Sequence, residues 1–169
     1  MDELRLYKIN QDYIRFLHRA DYKVSHKFST RPFVGFITMD NGVKYFLPLT
    51  SKTTQMRLDE GKTRRAWDFT TFVRDSSGKE ISNILHNNMI PAIEGTYAMM
   101  DISAETDILE SNEIRYLRKN KEKIIRKAKK IYKARTEGEN PFYNKMCCDY
   151  KLLEKVSLKY KTVKKYRQR

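Results

Sequence analysis

The stretch RPFVGFITMDNGVKYFLPLTSK, residues 31–52, constrains the fold more than any other part of the chain. FVGFITM is short and continuously apolar, the pattern of a strand buried on both faces. DNG at 40–42 supplies a hairpin turn, with glycine for a positive φ and Asn or Asp for side-chain bonds to the backbone. The partner strand VKYFLPL returns antiparallel and then runs into Thr50, Ser51, Lys52, Thr53 and Thr54. Surface turns ordinarily draw on Gly, Asn and Asp. A cluster of hydroxyls and a lysine after a buried strand is therefore either a turn or helix cap or a reaction site.

The remaining pattern completes an α+β chain. LRLYKI at 4–9 alternates as a strand, and Asn10 or Asp12 caps a following helix in which Tyr13, Ile14, Leu17 and His18 recur up to Ala20. FTTFVRDSSGKEISNIL predicts a second hairpin turning at Ser77-Gly78, and TYAMMDI at 96–102 a further strand. Residues 54–66 read as an excursion or a short helix. In ESNEIRYLRKNKEKIIRKAKKIYKART the residues Ile114, Leu117, Ile124, Ala128, Ile131 and Tyr132 share one stripe, predicting one long basic helix that Gly138 stops. Asn140-Pro141 opens another, with Met146, Tyr150, Leu153, Val156, Tyr160 and Val163 in step. One domain over residues 1–169 is expected, mainly antiparallel β with an N-terminal helix to 104 and two long basic helices beyond.

Charge narrows the partner. The chain carries 35 Lys+Arg against 21 Asp+Glu, a net +14, and residues 105–169 alone hold 20 against 9. Such an excess points to a polyanion, nucleic acid or an anionic surface. No apolar run approaches the ~18 residues that span a bilayer, and MDELRLYKIN lacks a signal-peptide pattern; a cytoplasmic protein with no membrane partner is expected. Cys147 and Cys148 are chain neighbours without zinc spacing, hence buried free thiols. His18, His26 and His86 are scattered, without HxxxH or a flanking carboxylate pair, and no GxSxG, GxxxxGK[ST] or GxGxxG occurs. No metal and no cofactor are expected. A DNA-binding regulator would want a helix-turn-helix recognition helix, and none stands out.

A basic, hydroxyl-rich site suits metal-free RNA cleavage. That reaction needs the 2′-hydroxyl aimed in line at its own phosphorus, donors for the phosphorane oxygens and a proton for the departing 5′-oxygen. A preorganised donor at a developing oxyanion contributes ~3–4 kcal/mol. Arg31 stands at the entrance of one hairpin strand, so antiparallel pairing brings it beside Thr50 and Ser51 at the exit of the other, with Lys23, His26 and Lys27 in the loop ahead of it. The basic helix is either a solvated face or a track for phosphates; its excess of Lys and Arg over Glu favours the track.

The ordered set LYKINQDYIRFL, RPFVGFITMDNGVKYFLPLTSK, NNMIPAIEG, YLRKNKEKIIRKAKKIYK and CCDYKLLE resembles the ToxN/AbiQ family of type III toxin–antitoxin endoribonucleases along nearly the whole chain. The resemblance implies a highly twisted antiparallel sheet of the MazF/Kid kind surrounded by helices. It also implies a metal-independent RNase that leaves a 2′,3′-cyclic phosphate. Its implied partners are cellular mRNA as substrate and a short repeat RNA antitoxin, folded as a pseudoknot, that the toxin cuts from its precursor and that closes with it into a heteromer. The family's catalytic serine in PLTS matches Ser51 and the threonine before it Thr50, while Arg31 matches a basic residue ahead of the strand. Lys52 stands where a proline is frequent, and Lys27 and Phe28 stand where a tyrosine is expected, so the donor to the leaving oxygen is left open; Arg31 and Lys52 are expected to hold the phosphate charge and Lys27 or His26 to share proton handling. The expected RNA-contacting residues are Lys23, Arg64, Arg65, His86, Asn87, Arg118, Lys119, Lys121, Lys123, Arg126 and Lys130. A non-catalytic basic RNA-binding protein is the alternative.

Overall fold

In the computed structural model the described residues are 3–25, 31–51 and 68–167, with side chains to 160. Among them seven strands form one antiparallel sheet in the order β4-β5-β3-β2-β1-β7, with β6 also on β3. The strands are β1 Arg5–Ile9, β2 Phe33–Thr38, β3 Lys44–Thr50, β4 Thr70–Arg74, β5 Glu80–Leu85, β6 Ile90–Pro91 and β7 Tyr97–Met99. Five helices cover it: α1 Gln11–Ala20, α2 Ile108–Lys119, α3 Lys121–Glu137, α4 Pro141–Met146 and α5 Tyr150–Arg167.

The central hairpin follows its sequence signals. Gly42 takes φ 86°, the Asn41 side chain accepts from the Val43 N–H at 3.1 Å, and Met39 and Val43 close the turn at 2.9 Å. In β2 the register shifts between Val34 and Ile37. Gly35 sits at that irregularity with its Cα against the Phe46 ring, in a space where a Cβ would overlap the ring. β3 is the middle of the molecule: Tyr45, Phe46, Leu47 and Leu49 are completely buried. At about 1.5–3 kcal/mol for each such side chain, this strand is a rigid base for whatever stands at its ends. The second hairpin turns at Gly78, also at φ 86°.

Helix packing departs from the sequence pattern in two places. The predicted single basic helix is two, α2 and α3, separated at Asn120, whose backbone leaves the helical region at φ −115° and ψ 18°. Asn120 donates its side-chain amide back to the Tyr116 carbonyl at 3.0 Å, which caps α2. The second predicted helix is likewise α4 and α5. Asp149 breaks it by capping α5 through the Leu152 N–H at 3.2 Å, and its own N–H is held by the Asp21 carboxylate at 2.6 Å. Along α3, Ile124, Ala128, Ile131 and Tyr132 are buried, as the stripe predicts, with the Tyr132 ring against Tyr45 of β3. A single buried cluster joins residues from Leu4 to Leu153. Cys147 and Cys148 are buried free thiols, and burial pushes the Cys147 thiol up to about 11, which removes it as a nucleophile at neutral pH.

Candidate active site

The candidate site lies where β3 leaves the sheet. Thr50 is 2% exposed and pairs across to the fully buried Asn83 of β5. Ser51 follows outside the strand and is exposed. On the other flank, Phe33 faces Pro48 and Val34 faces Leu47, and the Leu49 N–H donates to the Pro32 carbonyl at 3.2 Å. That bond carries the β2–β3 register out to Arg31, opposite Thr50. Arg31 and Ser51 therefore stand together at one end of the hairpin, as its antiparallel topology predicts.

The Arg31 side chain turns under this end, toward α2. Its Nη2 donates to Glu113 Oε2 at 3.1 Å, and the Ser82 hydroxyl of β5 donates to the same oxygen at 2.6 Å. Glu113 is completely buried while the Arg31 side chain keeps 19% exposure. Burial holds the Glu113 carboxyl above the usual carboxylate range, opposed by the Ser82 hydrogen bond and the Arg31 charge. Among the described residues Glu113 Oε1 and Arg31 Nε have no hydrogen-bond partner. A guanidinium carries five N–H groups, so one bond to Glu113 orients the fork and leaves donors for an anion.

Other residues expected at the site take different places. His86 was expected to contact RNA; instead it is completely buried in a short 3₁₀ turn after β5, its Nε2 2.7 Å from the Thr71 hydroxyl. Burial, with the nearby Lys127 charge, lowers it from the ordinary 6.5 to about 3, so the ring is neutral and walled off. Asn87 ties that turn to the helices: its amide donates to the Met146 carbonyl at 3.0 Å and its carbonyl accepts from the Cys148 N–H at 3.0 Å. Lys23 donates to the Asn144 and Cys147 carbonyls at 2.8 and 3.1 Å, closing the C-terminal end of α4. His26, Lys27, Lys52, Arg64 and Arg65 lie outside the described residues.

The basic residues of α2 and α3 do reach solvent. Arg118, Lys119, Lys123, Arg126 and Lys130 are exposed and Lys121 is half-buried; Arg118 also meets Glu3 at 3.1 Å. Arg118, Lys119, Lys121, Lys123 and Arg126 line a cleft of about 480 Å³ around the α2–α3 break. Arg5, Arg115, Arg118 and Lys119, together with Met99 and Ile102, line a groove of about 1170 Å³ beside α2. The break at Asn120 thus bends the basic track around the helix junction. α2 links this track to the strand end: Lys119 lies six residues beyond Glu113, about 9 Å along the axis at ~1.5 Å per residue.

Glu113 and Ser82 escape the sequence reading, as do Arg5 and Arg115. The available signal for Glu113 was a carboxylate four residues before Leu117 on a helix face otherwise committed to the core. Among the described residues no three His, Cys, Asp or Glu side chains gather as a metal site, and no helix is long and apolar enough to cross a membrane.

Comparison with known proteins adds the family context. The family model described as "Toxin ToxN, type III toxin-antitoxin system" matches residues 5–158. Endoribonuclease ToxN of Bacillus thuringiensis subsp. kurstaki is 29% identical over 95% of this chain and 86% of its own length. Endoribonuclease AbiQ of Lactococcus lactis subsp. lactis is 26% identical over 93% and 89%. A solved structure of a bacterial type III toxin–antitoxin system, concerned with selective toxin inhibition by a non-coding RNA pseudoknot, matches with TM-score 0.82 and 30% identity over 95% of this chain and 99% of its own.

Proposed function

The chain belongs to the ToxN family of type III toxin–antitoxin toxins, and from that premise we propose that it is an endoribonuclease whose scissile phosphate sits at the end of β3. The observation that carries this reading is the convergence of Arg31 with Thr50 and Ser51 on a strand whose interior is completely buried. In the proposed reaction the 2′-oxygen attacks its own phosphorus and loses its proton, the bond to the 5′-oxygen breaks, and that oxygen takes up a proton. The products are a 2′,3′-cyclic phosphate and a 5′-hydroxyl. No metal is required, because hydroxyl donors and fixed cations supply the charge stabilisation.

Ser51, exposed and just beyond the sheet, donates to a non-bridging oxygen, and Thr50 fixes the backbone that presents it. Arg31 supplies a permanent positive charge beside them. Lys52 adds charge, and Lys27 or His26 shares proton handling. Ser51 need not be a covalent nucleophile, since the ribose hydroxyl attacks directly. The basic track of α2 and α3 holds the phosphate backbone of the RNA outside the scissile step, both for mRNA and for a pseudoknot antitoxin RNA, and the setting is the cytoplasm.

The test is purified protein incubated with total RNA in EDTA. Cyclic-phosphate 3′ ends are expected; their absence would leave a non-catalytic RNA-binding protein. Ser51→Ala should lower cleavage by about 100- to 1000-fold, as removal of a single oxyanion donor does elsewhere, and relieve growth inhibition while RNA affinity is kept. Equal loss of both activities would make Ser51 a binding contact.

A further inference from the structure

We propose that Glu113 is a positioning residue for the cleavage reaction: anchored by the Ser82 hydroxyl, it fixes the Arg31 guanidinium beside Thr50 and Ser51. This rests on the proposed endoribonuclease reading and extends it to a residue that touches neither substrate nor reacting atoms.

Three features of the molecule support it. First, Glu113 Oε2 gathers both bonds, from Arg31 at 3.1 Å and from Ser82 at 2.6 Å, so the carboxylate is itself held from β5 while it holds an arginine that precedes β2. Ser82 is the chain neighbour of Asn83, which pairs with Thr50; the anchor and the hydroxyl cluster therefore share one strand pair. Second, the pair is poorly built for stability alone. Glu113 is 0% exposed, and among the described residues its other oxygen and Arg31 Nε are without hydrogen bonds. A buried ion pair with unmet hydrogen-bonding capacity is readily bettered by apolar packing. Third, arginine has enough side-chain freedom that an exposed, unanchored fork would cost rotamer entropy at every binding event. One oriented N–H removes that cost in advance, and a misplacement of ~1 Å at a reacting centre lowers rates by ~100-fold.

The geometry also explains why a carboxylate stands so near a phosphate site. It lies behind the guanidinium, in the interface of α2 with the sheet, and neutralises Arg31 only from the buried side. α2 carries Arg115, Arg118 and Lys119 in the adjoining groove, so the same helix that fixes Arg31 presents the cations of the track.

The experiment is a double-mutant cycle between Glu113→Leu and Arg31→Ala, read in single turnover with enzyme in excess so that slow cleavage is followed over hours. Glu113→Leu keeps the volume and removes the acceptor. In the wild-type background it is expected to lower the cleavage rate by about 10- to 100-fold with RNA affinity within about threefold. In the Arg31→Ala background it should add less than about threefold. Glu113→Gln, whose amide oxygen can accept both bonds, should recover most of the rate, and Ser82→Ala should lose a smaller part, again only when Arg31 is present. Those two variants carry the cycle if Glu113→Leu does not fold. A Glu113 effect that persists in full without Arg31, or a wild-type rate in Glu113→Leu, overturns the proposal while cleavage by the wild type leaves the endoribonuclease reading intact. A wild type that does not cut RNA overturns both.

Discussion

Two helix carboxylates reach the sheet at opposite ends of β3, and their surroundings differ in kind. At the start of the strand, Glu154 of α5 accepts from the Tyr45 and Tyr132 hydroxyls at 2.5 and 2.7 Å through Oε2. Its Oε1 meets Asn41 at 3.4 Å and Lys151 at 3.6 Å. Both oxygens are engaged, and the groups they engage come from the hairpin turn, β3, α3 and α5. At the far end Glu113 takes both of its bonds on one oxygen and, among the described residues, leaves the other without a partner. A buried polar group is retained at low cost when its hydrogen-bonding capacity is met, and at a standing cost when it is not. The first arrangement knits the helices to the hairpin; the second is tolerated beside the arginine of the candidate site.

The largest expected effect comes from breaking the well-satisfied end. Glu154→Leu leaves the buried Tyr45 hydroxyl and that of Tyr132 without their acceptor. Burial alone, the largest cause, pushes both phenols upward, so neither relieves the loss by ionising once the carboxylate is gone. At ~1–3 kcal/mol for each buried hydroxyl left unpaired, the expected cost is about 2–5 kcal/mol, which for a chain of this size lowers Tm by about 5–15 °C. Cleavage per folded molecule at low temperature should be unchanged. A variant of unchanged Tm with a lost cleavage rate would reverse the assignment of roles and end the contrast.

A second, smaller effect separates burial from pairing. His86 is as buried as Glu113, and among the described residues its ring meets the Thr71 hydroxyl and no counter-charge. Its folded value of about 3 lies below the ordinary 6.5, so its contribution to stability is present above pH ~6.5 and is lost as pH falls toward 3. His86→Gln should therefore flatten the acid limb of stability by on the order of a few kcal/mol, measured as urea midpoints between pH 7 and pH 4. An unchanged acid limb would mean that the ring is hydrated, and burial could then no longer be used to explain Glu113.

These contrasts also mark what local sequence could and could not reveal. The DNG turn, the Asn10 cap and the Asn140-Pro141 start are written in adjacent residues, and the structure uses each: the Asn10 side chain accepts from the Asp12 N–H at 2.8 Å and Asn140 from the Phe142 N–H at 2.9 Å. The meeting of Arg31 with Thr50 and Ser51 follows from antiparallel geometry alone. The helix breaks at Asn120 and at 147–149 are hidden because the apolar stripes stay nearly in phase across them. What makes the second break is remote, the Asp21 carboxylate on the Asp149 N–H and the Asn87 carbonyl on that of Cys148. His86 reads as an RNA-contacting residue in a basic chain, yet the turn that carries it is folded under α3 and α5. Glu113 is the same case in reverse: its partner lies 82 residues away, beyond any periodicity or motif.

The smallest expected effect tests whether burial or pairing dominates at Glu113. Desolvation raises its carboxyl above the ordinary range, and the Ser82 bond and the Arg31 charge pull the other way. The charged groups facing it are Arg31 from the loop before β2 and Glu110 one turn earlier on α2. A carboxyl raised in the folded state contributes stability that is complete below its unfolded value and is lost as pH climbs through the folded one. Glutamine cannot ionise, so Glu113→Gln should gain on the wild type in Tm as pH rises from 4 to 8. Arg31 stays charged throughout that range, so any cost of unpairing it displaces the whole curve and leaves the slope untouched. A slope of opposite sign would show that the charged pair outweighs its desolvation. Glu113 would then be a stabilising ion pair of the same kind as Glu154, and the difference between the two ends of β3 would be one of position only.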